Sequence, residues 1–182
     1  MKVFVFLADG FEEIEGLTVV DILRRAGVDV TMMSVTGSLS IRGSHDIGVQ
    51  ADCLFDAKEA GEADMLVLPG GMPGTLTLKE HEGLNELLRK FDREKRNIAA
   101  ICAAPSILGG LGMLKGKKAC SYPGFEDKLD GADVQQVPVV TDGHITTGRG
   151  MGVAIPFALR LTAILCGEDN AEEVRKSIVY QV

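Results

Sequence analysis

The sequence predicts an α/β protein whose doubly wound, mostly parallel sheet carries helices on both faces. Three observations predict it. Short apolar runs alternate with amphipathic stretches along the whole chain, as βα units require. Glycines are frequent (22 of 182 residues), and many fall just after the apolar runs, where strand-to-helix turns belong. Aliphatic side chains dominate, aromatics make up 5% and Trp is absent. The length suits one domain over residues 1–182 with a full hydrophobic core.

Val3 to Leu7 reads as a first buried strand. Glu12 to Ala26 follows as a helix with Ile14, Leu17, Val20 and Leu23 on a partly apolar face, and Gly27 stands where a helix ends. Val28 to Val35 is a second strand. Ser38 to Gln50 is mixed, with Leu39–Ile41 and Ile47–Val49 as short strands or a hairpin. Asp64 to Leu68 is a buried strand closed by Pro69-Gly70-Gly71. His81 to Lys95 is an amphipathic helix with Leu84, Leu87, Leu88 and Phe91 inward. Asn97 to Ile101 is a strand, and Cys102 to Leu111 a helix with Pro105 in its first turn. Lys117 to Ser121 reads as a strand, and Val134 to Val140 with Ile145 to Thr147 as a pair of strands. Gly150 to Cys166 and Glu168 to Val179 complete the chain as helices.

Composition narrows the function. The net charge is −7 and no basic patch with interleaved aromatics occurs, so nucleic acid is not an expected partner. No run spans a bilayer, and the first apolar run is too short and too soon followed by acid for a signal peptide. The expected location is cytoplasmic. Cys53, Cys102, Cys120 and Cys166 form no C-x-x-C pair, and His45, His81 and His144 lie far apart, so no metal site and no cofactor is expected.

In doubly wound sheets ligands bind beyond the carboxyl ends of the strands. That directs attention to three turns. After Ile101, Cys102 would sit at a helix N-terminus, where free amides and the helix dipole lower a thiol's pKa. The amide of Ala103 would face a developing oxyanion. On the local pattern alone, a buried cysteine acting as apolar filler fits equally well. After Leu68, Gly70 and Gly71 expose amides to a ligand, although an ordinary turn explains them too. After Leu7, Glu12 and Glu13 suit the positive end of a helix dipole. Glu15 falls near the edge of the buried face, where desolvation would raise its pKa and suit it to proton transfer.

Five segments in this order resemble the ThiJ/PfpI superfamily, in the branch of the parkinsonism-associated protein deglycase and its bacterial homologues. They are Ala8-Asp9-Gly10-Phe11-Glu12-Glu13-Ile14-Glu15, Val20 to Gly27, Val67-Leu68-Pro69-Gly70-Gly71, Ala99 to Pro105 and Thr147-Gly148-Arg149-Gly150. The resemblance implies a flavodoxin-like fold, similar to class I glutamine amidotransferases. It implies Cys102 as an easily oxidised nucleophile and Glu15 as its hydrogen-bonded acid, with backbone amides of Gly70, Gly71 and Ala103 around the reacting oxygen. Arg149 falls on a family arginine near the site. His45 lies where relatives often carry an arginine that reaches the site, but reads more simply as a solvated loop histidine. Tyr122 stands where family enzymes with a Glu/Cys/His arrangement carry histidine, and a phenol is a poor base at neutral pH. Ala103 replaces the histidine that follows the cysteine in the peptidase branch, which argues against proteolysis. The implied function is glyoxalase III- or deglycase-like action on reactive 2-oxoaldehydes. The alternatives are a redox sensor or chaperone acting through Cys102 oxidation, and a non-catalytic binding protein. Small electrophilic metabolites or oxidants are the implied partners, and a homodimer the implied assembly.

Overall fold

The computed structural model describes residues 1–181. Its first half runs β1 (Lys2–Leu7), α1 (Glu13–Arg25), β2 (Asp29–Ser34), β3 (Ser40–Arg42), β4 (Gly48–Gln50), β5 (Cys53–Leu54), α2 (Ala57–Ala60), β6 (Met65–Leu68), α3 (Gly74–Glu80) and α4 (Glu82–Glu94). Its second half runs β7 (Asn97–Ile101), α5 (Pro105–Gly110), β8 (Lys118–Ala119), β9 (Asp133–Val134), β10 (Val139–Asp142), β11 (Ile145–Gly148), α6 (Ala154–Cys166) and α7 (Glu168–Ser177).

Seven strands form the central sheet in the order β10-β11-β7-β6-β1-β2-β5. All neighbours are parallel except β10 and β11, which make an antiparallel hairpin at one edge. The strand pleat sorts the core onto two faces. Phe4 and Phe6 of β1 join Leu66 and Leu68 of β6 beneath Leu84, Leu88 and Phe91 of α4. Val3, Val5 and Leu7 face the other way, with Val67, Ala99 and Ile101, towards Val19 and Leu23 of α1 and Phe157 and Leu161 of α6. The expected doubly wound α/β fold is the one observed.

Local chemistry fixes the helix starts. The Asp56 carboxylate accepts the amides of Lys58 and Glu59 at the head of α2, and His81 Nδ1 accepts the Leu84 amide at 3.1 Å at the head of α4. Gly27, at φ 81°, ends α1 as its position suggests.

Several elements differ from the sequence reading. The helix expected from Cys102 begins only at Pro105 and spans six residues; Cys102 to Ala104 form a turn. On α1, Ile14 is half exposed, while Glu15, Gly16, Val19, Ile22 and Leu23 face inward. The buried stripe is rotated because Gly16 packs against the Phe11 ring, where a larger residue would collide. Lys118–Ala119 lies outside the main sheet and pairs with Asp133–Val134, which separates Val134 from the β10–β11 hairpin. β5, α2 and α3 were not anticipated; they are short, and α3 opens on glycine. The segment read as strands or a hairpin is the antiparallel β3–β4 pair.

Candidate active site

β1, β6 and β7 are neighbours in the sheet, so the turns after Leu7, Leu68 and Ile101 meet at one end. Glycine makes the meeting possible. A Cβ on Gly71, whose φ is 91°, would overlap the backbone nitrogen of Glu12. A Cβ on Gly70 would stand 2.5 Å from Cys102 Cβ and 2.7 Å from Glu15 Oε2. The Glu12 amide donates to the Gly70 carbonyl at 2.9 Å and locks the first two turns together.

Cys102 adopts φ 65°, a left-handed backbone that costs a non-glycine residue about 1–2 kcal/mol. The conformation is held on both sides: the Cys102 amide donates to Gly148 O at 3.0 Å, and the Tyr122 amide donates to Cys102 O at 2.8 Å. The side chain is thereby turned off the strand axis towards α1. There Glu15 is fully buried, with Oε2 accepting the Gly70 amide at 2.9 Å and Oε1 lacking any hydrogen-bond partner among the described residues.

Glu15 and Cys102 lie close enough that each shifts the other's ionisation. Burial, assisted by the charge of Glu12, pushes the Glu15 carboxyl up to about 7, against the Cys102 and Gly70 hydrogen bonds that favour its ionised form. Burial, then the charge of Glu15 and the hydrogen bond to it, push the Cys102 thiol up to about 12, against the amides of Gly71 and Ala103. Two anions side by side in this dry corner are unfavourable, so between those limits the pair shares one proton. The thiolate held by a helix dipole, expected from sequence, is therefore corrected. The helix starts three residues late, and a neighbouring carboxylate outweighs the amides.

The remaining sequence candidates separate. The Gly71 and Ala103 amides face the sulfur, whereas the Gly70 amide is committed to Glu15 and is not free to hold an oxyanion. Tyr122 is half exposed beside Gly150: a Cβ there would lie 3.2 Å from Tyr122 Cδ2 and 3.9 Å from Glu15 Oε1. Arg149 lines a cavity with Tyr122 and Gly150. His45 is exposed, but it is tied down: its amide donates to Glu13 Oε1 at 2.8 Å, and its Nδ1 lies 3.0 Å from Glu13 Oε2. Burial works against the Glu13 charge, yet the bonds from His45 win and hold that carboxyl at about 2; the same bond raises the His45 pKa. Glu13, read as a plain dipole charge, is a buried anchor for the β3–β4 hairpin connection. His144, read as an inert turn residue, is buried against Asp92 at 2.8 Å. Gly150 went unnoticed as a site residue; its place directly after Arg149 gave no local signal of contact with Glu15.

Glu12, Glu13 and His45 form a group with donor atoms close enough to hold a metal ion. Its hydrogen bonds already satisfy Glu13, so no cofactor role follows from it.

Comparison with known proteins agrees with this geometry. Residues 1–164 match the DJ-1/PfpI family. "Protein DJ-1 homolog A" of Arabidopsis thaliana is 40% identical over 182 residues, covering 98% of this chain and 46% of its own length, so the chain spans under half of that relative. "Deglycase PH1704" of Pyrococcus horikoshii is 36% identical over 155 residues, 82% of this chain and 90% of that protein. Among solved structures, oxidised Toxoplasma gondii DJ-1 superposes with a TM-score of 0.95 at 35% identity, covering 100% of this chain and 99% of that one. With the family's fold, its ordered turns and this degree of identity in place, the chain belongs to the DJ-1/PfpI family.

Proposed function

We propose that the chain, working as one domain in the cytosol, is a stress-response enzyme that detoxifies reactive 2-oxoaldehydes by cysteine chemistry. The carrying observation is the buried Glu15 carboxyl, poised at about 7 beside Cys102. The relative named a deglycase supports an enzymatic role, and four free cysteines suit a reducing compartment.

In this reaction the Cys102 sulfur attacks the aldehyde carbon. The C–S bond forms, the carbonyl pair moves onto oxygen near the Gly71 and Ala103 amides, and the thiol proton passes to the Glu15 carboxylate. Glu15 returns that proton to the oxygen, giving a hemithioacetal. It next takes the hydrogen of the hemithioacetal carbon as a proton and delivers it to the adjacent carbonyl carbon through an enediol, while the hydroxyl proton of the first carbon passes to the oxygen of the second. The product is a thioester, which water cleaves to a 2-hydroxy acid and the free thiol. No step calls for a cofactor.

A second reading is oxidation sensing. The sulfur already has the Gly71 and Ala103 amides and a protonatable carboxyl around it, three donors for the oxygens of a sulfenic or sulfinic acid. The oxidised state in which the Toxoplasma relative was solved favours it.

Assembly as a homodimer completes the proposal. An apolar groove of about 660 Å³ is lined by Ile14, Leu17, Ile47 and Ile155, and Ile14 and Ile47 are both about half exposed. Such a surface is larger than an isolated exposed side chain and suits a second copy of the chain.

Four measurements test these statements. Methylglyoxal consumption with lactate formation is expected from the wild type and falls by about a thousandfold or more in Cys102→Ala; equal rates in the two proteins would remove Cys102 from the mechanism. Alkylation of Cys102 should accelerate with pH around the Glu15 value of about 7, because the carboxylate that accepts the thiol proton exists only above it. In Glu15→Gln that inflection vanishes because no base remains, and the single remaining rise of the alkylation rate, that of the thiol itself, moves to lower pH than the wild-type thiol because the Glu15 charge no longer opposes ionisation; an unchanged inflection contradicts the coupling. Mild peroxide followed by peptide mass spectrometry should place added oxygen on Cys102; oxygen on Cys53 or Cys166 alone would end the sensing reading. Sedimentation should give twice the chain mass for the wild type and a lighter species for Ile14→Glu, and a monomeric wild type would overturn the assembly.

A further inference from the structure

The side of the site occupied by Tyr122 contains more than a missing base. A cavity of about 300 Å³ is walled by Tyr122, Pro123, Arg149, Gly150, Met151 and Val153, and its lining is almost wholly apolar. Two of its walls, Tyr122 and Gly150, connect it to the reacting pair. The Tyr122 amide is bonded to the Cys102 carbonyl at 2.8 Å, and Gly150 separates the Tyr122 ring from Glu15 Oε1 by little more than the room for one carbon. Glu15 Oε1 is the fully buried polar atom with no partner noted above. A buried acceptor without a donor is unfavourable, and this one lies just behind Gly150, a residue of the cavity wall.

We propose that this cavity is the substituent subsite, and that the chain prefers 2-oxoaldehydes bearing an apolar, ring-sized group over glyoxal or methylglyoxal. The inference rests on the reading of Cys102 as the nucleophile. The hydroxyl formed when sulfur adds to the aldehyde lies on the Glu15 side, and the substituent lies against the Tyr122 ring, Met151 and Val153. Tyr122 thus exchanges the proton-transfer capacity of an imidazole for a broad aromatic wall. Gly150 is required beneath it: any side chain there would press on the ring at 3.2 Å. Volumes of this order accept small ligands, and apolar walls with one unmet polar group are the usual form of such sites.

The test compares two α-bromoketones that differ only in substituent, 2-bromoacetophenone and bromoacetone. With each, the Cys102 sulfur bonds to the methylene carbon, bromide leaves with the C–Br pair, and the thiol proton passes to Glu15. Rates are normalised to those of free cysteine. The wild type should favour the phenyl reagent by about tenfold or more. Tyr122→Ala should bring the ratio close to one, and Tyr122→Phe should keep it. Met151→Glu, a change at a half-exposed wall position, should also lower it. A wild-type ratio near one, or an unchanged ratio in Tyr122→Ala, overturns the subsite. A phenyl preference in a protein that consumes neither methylglyoxal nor phenylglyoxal would leave the subsite standing and defeat the proposed turnover instead.

Discussion

The structure depends on a carboxyl buried beside a sulfur with no cation among the described residues paired to it. Glu15 is fully enclosed, and its side chain meets an amide, a thiol and apolar walls. Raising its pKa from 4.5 to about 7 corresponds to about 3 kcal/mol of destabilisation once the group ionises. The sign follows from the direction of the shift. The protonated form is the one the fold favours, so this contribution is intact below the ordinary carboxyl range and is lost as pH rises through about 7. At neutral pH the protein therefore holds a carboxyl that the fold alone would not select.

Much of the surrounding architecture keeps that pair in place. Three adjacent parallel strands deliver their turns to one end of the sheet, and paired glycines let the turns touch. Cys102 holds a left-handed backbone that its own side chain disfavours, fixed by its amide donating to Gly148 of β11 and by the Tyr122 amide donating to its carbonyl. The Gly70 amide orients the carboxylate through Oε2, while Oε1 is buried without a partner among the described residues. The rigidity is that of packed backbone, which positions reacting groups better than side chains standing alone.

The sequence made the frame legible because strand and helix periodicities are local. Val3 to Leu7, Asp64 to Leu68 and Asn97 to Ile101 are apolar runs ended by turn residues, and they are the three strands that carry the site. Relations across the chain were less visible. Glu13 and His45 are 32 residues apart, and only the folded hairpin shows that one binds the other. α1 carries apolar residues around much of its circumference, so counting them could not reveal that Glu15 and Gly16 face inward while Ile14 faces out. Pro105 suits the first turn of a helix, which the sequence reading begins at Cys102; hydrogen bonds with distant Gly148 and Tyr122 hold Cys102 in a turn instead. The thiol's acidity is hidden from the sequence for the same reason, since burial and then the charge of Glu15 outweigh the local amides.

The absence of histidine near the sulfur bears on how the proposed reaction runs. A site with a separate imidazole can divide proton acceptance and donation between two groups. Here one carboxyl must accept the thiol proton, return it to the alkoxide and then shuttle a carbon-bound proton. A carboxylate at its ordinary pKa would accept these protons too weakly, and a base far above neutral pH would not release them. A group poised near 7 does both with the least bias, because catalytic efficiency peaks where acid and base forms are both populated. The burial that makes Glu15 costly to the fold is therefore what fits it to act alone, and it frees the Tyr122 position for shape in place of proton chemistry.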